Sequence, residues 1–304
     1  MGSIITACTK KKAGAAEACA SSLAPGMIEA VGNQWITALN AALQRVCAAD
    51  LYQGGSHAVS RRAAKDAGYP HYIVSAGLGL VSARAEVPNY KASVLAGEDD
   101  VLAMLSDGTD AGAWWRWLQS RSPFARSLAS VIAAADGPCL IALPQAYLAM
   151  IKSEILSLPP PLLQRVRLFS GSPAPAALAD LQMPYDERLD GAKSPYKGTR
   201  SNFAARAVRH FANSVLPGHE VAGARDHASA VEAAIAGWPR PIRTVGKRKT
   251  DAELLEILTM HWDVMGGRST RMLRLLRDDL GIACEQGRFA GLVRGLRTGR
   301  EKVA

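Results

Sequence analysis

The chain has 304 residues, enough for one α/β domain of about 200 to 250 residues and a small appendage. Apolar residues make up 48% and charged residues 21%, a balance that excludes a long disordered tract. The net charge of +9 is unevenly placed: from Arg240 onward 14 Lys or Arg stand against 8 Asp or Glu, so a polyanion is the natural partner for that end.

The N-terminus has no charged segment followed by a long apolar run. No later stretch approaches the roughly 18 apolar residues of a spanning helix, so a cytoplasmic chain with no membrane partner is expected. Residues 3–8 form a short β-branched run that ends in Thr9-Lys10-Lys11-Lys12, as a buried parallel strand ends at a site-forming loop. Over 27–52 apolar residues recur at helical spacing (Ile28, Val31, Trp35, Leu39, Leu43, Val46), and a second helix is predicted over 58–67. A second strand at 71–76 runs into Gly77-Leu-Gly79-Leu, read as a tight turn or a close approach to a ligand. Helices are predicted at 99–105, 111–119 and 123–135; Trp114, Trp115 and Trp117 cannot share one helix face, so at least one is expected to be exposed. A third strand at 138–143, a helix at 145–156 and a fourth strand at 165–169 complete the alternation. The pattern predicts an α/β domain with a mostly parallel central sheet and helices on both faces.

Two long polar loops follow, at 170–175 and 183–198, and loops of that length in a compact domain are usually functional. Helices are predicted at 199–215 and 228–236, and the Pro- and base-rich stretch 237–249 reads as a linker. The domains are therefore 1–238 and 239–304. The second opens on Thr250-Asp-Ala-Glu253, a capping-box pattern. Its helices should run to about 263, over 269–280 with Arg271, Arg274 and Arg277, and over 283–296 with Arg288, Arg294 and Arg297, separated by Gly266-Gly267 and Gly281. That is the layout of a small all-α, helix-turn-helix-like module. Cys8, Cys19, Cys47, Cys139 and Cys284 are odd in number, scattered and never in a C-x-x-C pair, and the histidines show no metal spacing. No disulfide framework, metal or cofactor is expected.

In an open parallel sheet, ligands bind beyond the carboxyl ends of the strands. The loops there hold Cys8, Thr9 and Lys10; Ser75, Gly77, Glu86, Asn89 and Tyr90; Gln145; and Ser170, Gly171 and Ser172. The segment Ala7-Cys-Thr-Lys-Lys-Lys12 resembles the Cys-Ser/Thr-x-x-Lys loop of a bacterial and phage family related to the oxidative-stress protein YaaA and to the uracil-DNA-glycosylase-like domain of archaeosine synthase. Val74-Ser-Ala-Gly-Leu-Gly-Leu-Val81 and Val87-Pro-Asn-Tyr90 are similar to two further elements of that family, so the likeness covers residues from about 3 to 175. Two positions depart from it: Lys91 stands where the family often has Asp, and Gly77 where it more often has Lys.

The resemblance implies a uracil-DNA-glycosylase-like fold and cleavage or exchange of an N-glycosidic bond, on a base held outside the stack. Such chemistry uses a polar or carboxylate group for water or an oxocarbenium-like sugar, for which Asp99 or Asp100, Asn89 and Asp186 are available. Cys8, Thr9, Lys10, Ser75, Gly77, Tyr90, Gln145, Ser170, Ser172 and Tyr185 are the substrate-binding candidates. Lys11, Lys12, Lys197, Arg200, Arg206, Arg271, Arg274, Arg288 and Arg294 are the DNA-binding candidates. The expected partner is nucleic acid, above all duplex DNA carrying a modified base, with anti-phage defence as the use. The alternatives are a DNA-binding regulator or nucleotide sensor without chemistry, and base exchange on RNA.

Overall fold

The structure, a computed structural model, describes residues 1–106, 108–241 and 246–301, without the side chains at 278, 300 and 301. The chain divides into two compact units, Met1–Pro241 and Ile242–Ala304. The division falls within the linker stretch 237–249, of which 242–245 lie outside the described residues.

The first unit is mixed α/β. Its central sheet consists of β1 (Ser3–Ala7), β2 (His71–Ser75), β3 (Gly79–Ser82), β4 (Cys139–Ala142) and β5 (Val166–Phe169), in the order β3-β2-β1-β4-β5. All neighbours run parallel except β2 and β3, which are antiparallel. In β1, Ile4 and Ile5 are both fully buried and enter different apolar clusters, because successive side chains of a strand point to opposite faces.

On the Ile5 side lie helices α1 (Ile28–Ala41), α3 (Ala111–Arg121), α4 (Leu128–Ala133) and α5 (Gln145–Leu156). On the Ile4 side lie α2 (Gly55–Ala67), α6 (Phe203–His210) and α7 (Ala224–Ile235). The four strands expected from the sequence are present and the helices flank them.

Several expectations are corrected. The 77–80 segment is more than a turn: Gly79 takes φ +83° and residues 79–82 double back as the antiparallel edge strand β3. The helix over 27–52 stops at Ala41, where the Glu17 carboxylate accepts from the Leu43 and Gln44 N–H groups and Leu43 is left exposed. Residues 99–105 hold only a single turn at Leu102–Met104. All three tryptophans of α3 are buried, because α3 packs against both α1 and α5. Trp117 covers the space at Gly32, while Trp114 and Trp115 each satisfy their indole N–H, on Ala76 O and Glu154 respectively.

In the second unit α8 (Asp251–His261) starts at the expected Thr250–Glu253 capping box. α9 (Ser269–Arg274) continues as a π-helical turn over Leu275–Asp279, and α10 spans Gln286–Glu301. Leu254, Leu258, Met272, Leu276, Phe289 and Val293 form its core. The unit is not wholly helical: Lys247–Arg248 pairs in parallel with Ile282–Ala283. Gly266, Gly267 and Gly281 all take φ near +60°, the conformation that makes glycine the residue for these turns. Among the described residues no helix is long and apolar enough to cross a membrane.

Candidate functional site

β1 ends at Ala7, and the N–H of the next residue, Cys8, bonds Val74 O of β2, so the loops after these strands leave the sheet side by side. The Lys10–Lys12 loop turns back until Lys12 bridges Tyr52, and the Lys12 ammonium stands 4.2 Å from the Tyr90 ring centre and 5.8 Å from that of Tyr52. Beneath it, Tyr90 Oη lies 2.5 Å from Ser75 Oγ and 3.0 Å from Tyr52 Oη, all three residues being at most 1% exposed. Ser75 Oγ already accepts from the Gly77 and Leu78 N–H groups, so both its lone pairs are used and it donates to Tyr90, which in turn donates to Tyr52. Cys8 Sγ sits 3.2 Å from Tyr147 Oη on the first turn of α5.

The electrostatics follow from burial. Loss of water pushes the phenols of Tyr52, Tyr90 and Tyr147 well up, so all three remain protonated hydrogen-bonding groups at neutral pH. Burial also lowers the Lys12 ammonium, against the opposing pull of Cys8 and the Asp99 carboxylate. Asp99 is thus an acid whose charge acts on Lys12.

The other strand-end residues divide. Asn89 Nδ2 donates to Ala13 O at 2.6 Å and its backbone carbonyl accepts from Glu17 N–H, so the residue ties down the segment that follows the lysine loop. Lys10 Nζ would come within 3.5 Å of a Cβ at Gly97, which brings the 97–100 segment to the same rim. Asp100 Oδ1 caps the Leu102 N–H, a local turn contact. Lys10, Lys11 and Gln145 are exposed, and Thr9 Oγ1 donates to Lys11 O. Ser170 is buried beyond β5, where it accepts the Ser172 N–H; among the described residues neither serine bonds to the tyrosine cluster.

Gly77, read from the sequence as a tight turn or a close approach to a ligand, answers to neighbouring rings: a Cβ there would lie 2.5 Å from Tyr90 Cε2 and 2.9 Å from Trp35 Cζ2. The Trp35 indole N–H also holds Gly77 O, at 2.7 Å, so this glycine makes room for two rings.

Three predicted site residues are corrected outright. Tyr185 belongs to the cluster on the Ile4 side of the sheet, where its hydroxyl meets His210 Nδ1 at 2.6 Å. Asp186 receives Arg188 Nε on both oxygens, at 2.9 and 3.1 Å, and Arg240 at 3.2 Å. Burial works to raise its carboxyl, yet the Arg188 bonds and the Arg240 charge together keep it below its usual value, so it is an ion-pair anchor and not a base. Arg206 is only 3% exposed and spends four of its five N–H donors on Asn202, Asp190, Tyr196 O and Thr199 O, so it is a buried structural cation with no surface to offer a phosphate.

The neighbouring Lys197 and Arg200 are exposed. In the second unit Arg271, Arg274 and Arg294 are exposed, whereas Arg288 pairs with Asp251 at 2.6 Å.

Sequence reasoning missed Tyr52, Tyr147 and the inward turn of Lys12. Tyr147 carried a usable signal, since it stands two residues after Gln145 at the head of the helix that follows a parallel strand. Among the described residues no group of three His, Cys, Asp or Glu is placed to hold a metal ion. Comparison of the chain with protein-family models, with curated proteins and with solved structures gives no match.

Proposed function

We propose that the protein is a glycosylase-like hydrolase of the uracil-DNA-glycosylase-like α/β class, acting on a modified base in duplex DNA, with anti-phage defence as its use. The observation that carries this reading is the meeting of Cys8, Lys12, Ser75 and Tyr90 under the charge of Asp99 at the carboxyl ends of β1 and β2. Cleaving an N-glycosidic bond leaves positive charge on the sugar and negative charge on the departing base.

Lys12 and Asp99, both half-buried, supply the two opposite charges, and partial loss of water makes each act more strongly than in open solvent. In this scheme water oxygen bonds to the sugar carbon, the carbon–nitrogen bond breaks, and the departing base takes the proton that water gives up. The Ser75–Tyr90–Tyr52 chain keeps the floor of the site rigid, and the second unit, with Arg271, Arg274 and Arg294 exposed, grips the duplex as a helix-turn-helix-like clamp.

The full chain is to be incubated with duplexes of modified and unmodified bases and abasic sites counted. Asp99→Asn and Lys12→Met should abolish base release while DNA affinity stays, and Asp186→Asn should leave release intact. DNA binding with no abasic sites on any modified duplex would overturn the enzyme reading. The tight mutual satisfaction of the buried Ser75, Tyr90 and Tyr52 hydroxyls favours the rival, a nucleic-acid sensor without chemistry, and that same outcome would select it.

A further inference from the structure

Beside this cluster, α2 opens on Gln53-Gly54-Gly55-Ser56. Gly54 takes φ +104° as the N-cap and no side chain caps the first turn of this 13-residue helix. A Cβ built at Gly54 would meet nothing within 4 Å, so the N-cap itself is unobstructed. Uncapped N–H groups and the positive end of a helix dipole attract anions, although a helix end alone does not make a site.

A second observation points the same way. The helix end borders a groove of about 480 Å³, lined among others by Gln53, Gly54, His57, Arg61, Arg62 and Lys65. His57 is 3% exposed; its Nε2 lies 2.9 Å from Ala49 O, and its Nδ1 has no partner. A carbonyl only accepts, so Nε2 carries the proton and Nδ1 is a bare lone pair, a buried polar atom that is costly to leave unmatched. Once protonated, Nδ1 becomes a donor that an anion satisfies.

The basic wall is only partly spent. Arg61 uses Nη1 for Ala49 O and Asp50, Arg62 uses Nε for Asp66, and Lys65 has no ion-pair partner among the described residues. The groups facing His57 are the Tyr52 and His71 rings, with centroids at 5.8 and 6.0 Å, and the charges of Arg61 and Asp50. The Gln53 N–H bonds Lys11 O, and a Cβ at Gly55 would be 4.0 Å from Asn202 Nδ2. The groove therefore lies between the lysine loop and the exposed Arg200 turn.

We propose that this groove binds a phosphate group, held by the first-turn amides of α2, by His57 and by Lys65. Which phosphate it takes rests on the nucleic-acid reading above: the phosphate of a strand whose nucleoside enters the adjacent Cys8–Lys12 cluster, or that of a free nucleotide.

The full chain is to be titrated with inorganic phosphate, a 5′-mononucleotide and a short oligodeoxynucleotide, following the amide resonances of Gly54, Gly55 and Ser56 and the His57 ring by NMR. Those amides should shift with all three probes, and the His57 midpoint, lowered chiefly by burial, should rise. Ser56→Asp puts a carboxylate into the first turn, which favours the helix while repelling an anion; it should keep or raise the Tm and weaken phosphate binding roughly tenfold.

An oligonucleotide that binds more tightly than the mononucleotide supports the site as a strand contact, and equal affinities support it as a nucleotide site. Amides unmoved by every probe, or Ser56→Asp binding as the parent does, would overturn the proposal. Base release is not read in this experiment, so its result stands apart from that of the glycosylase assay.

Discussion

Replacing Tyr90 by Phe removes one oxygen from a place where it has two partners and no water, Ser75 Oγ at 2.5 Å and Tyr52 Oη at 3.0 Å. The ring stays, with its edge-on contact to Trp35 at 6.0 Å and its place under Lys12, so the packing loss is small. Two buried hydrogen bonds at about 1 kcal/mol each are lost. Tyr52, 1% exposed, is left with a stranded hydroxyl, which brings the expected loss of stability to about 2 to 4 kcal/mol.

Tyr52→Phe alone should cost less, because Tyr90 keeps Ser75. The double variant strands nothing further at residue 52 and should fall short of the sum of the singles by about 1 to 2 kcal/mol. Urea unfolding followed by tryptophan fluorescence reads this directly, since Trp35, Trp114, Trp115 and Trp117 are all buried around the same cluster. A Tyr90→Phe protein within about 0.5 kcal/mol of the parent, or strict additivity with Tyr52→Phe, would refute the hydrogen-bond chain as drawn.

Arg206→Ala should cost about 3 to 5 kcal/mol in the same unfolding assay, since it leaves the Asp190 carboxylate, 2.7 Å from Nη1, without its buried partner. Arg206→Lys should recover less than half of that, because one ammonium cannot reproduce contacts to Asp190, Asn202 and two carbonyls. Burial depresses His210 to about 4, and burial with the nearby His57 and Arg61 depresses His71 to about 3. The unfolded chain takes these protons near pH about 6.5, so the stability they contribute is whole above that pH and falls as the pH is lowered towards 4. Urea midpoints between pH 7.5 and 4.5 should show this slope, and His210→Gln should flatten it. Alanine at Arg271, Arg274 or Arg294 should each reduce the slope of log K against log salt for duplex binding by about one, whereas Arg288→Ala, already paired with Asp251, should change it less; fluorescence anisotropy measures both.

The sheet was legible because burial on both faces forces short, continuous apolar runs, and those at 3–8, 71–76, 138–143 and 165–169 are bounded by loops. β3 was not, because Gly79-Leu-Val-Ser82 reads locally as the tail of a turn and becomes a strand only by pairing with β2. Cys8, Ser75 and Tyr90 could be found from the strand-end rule. Tyr52 could not: it reaches the cluster through the pairing of Val46–Cys47 with Glu86–Val87 and the short helix Ala48–Leu51, both of which depend on distant residues. Asp186 and Arg206 misled for the opposite reason. A charged residue in a long loop looks the same whether it meets solvent or a partner, and Arg240 lies 54 residues from the carboxylate it contacts.

Gly77 and Tyr90 are where sequence and structure inform one another most. A lysine in place of Gly77 is a substitution that this site cannot accept while Tyr90 keeps its place, since even a Cβ would overlap the ring at 2.5 Å. Displacing Tyr90 would break its bonds to Ser75 and Tyr52 and disturb the Trp35 edge contact, so the glycine and the tyrosine form one steric unit. An ammonium is nevertheless present at this spot. Lys12 brings it from the β1 loop, over the open face of the same Tyr90 ring, where burial and the Asp99 charge act on it in opposite directions. A small residue at 77, an aromatic at 90 and a lysine that turns inward at 12 are therefore one arrangement, and changing any of the three alters the charge that the cluster presents.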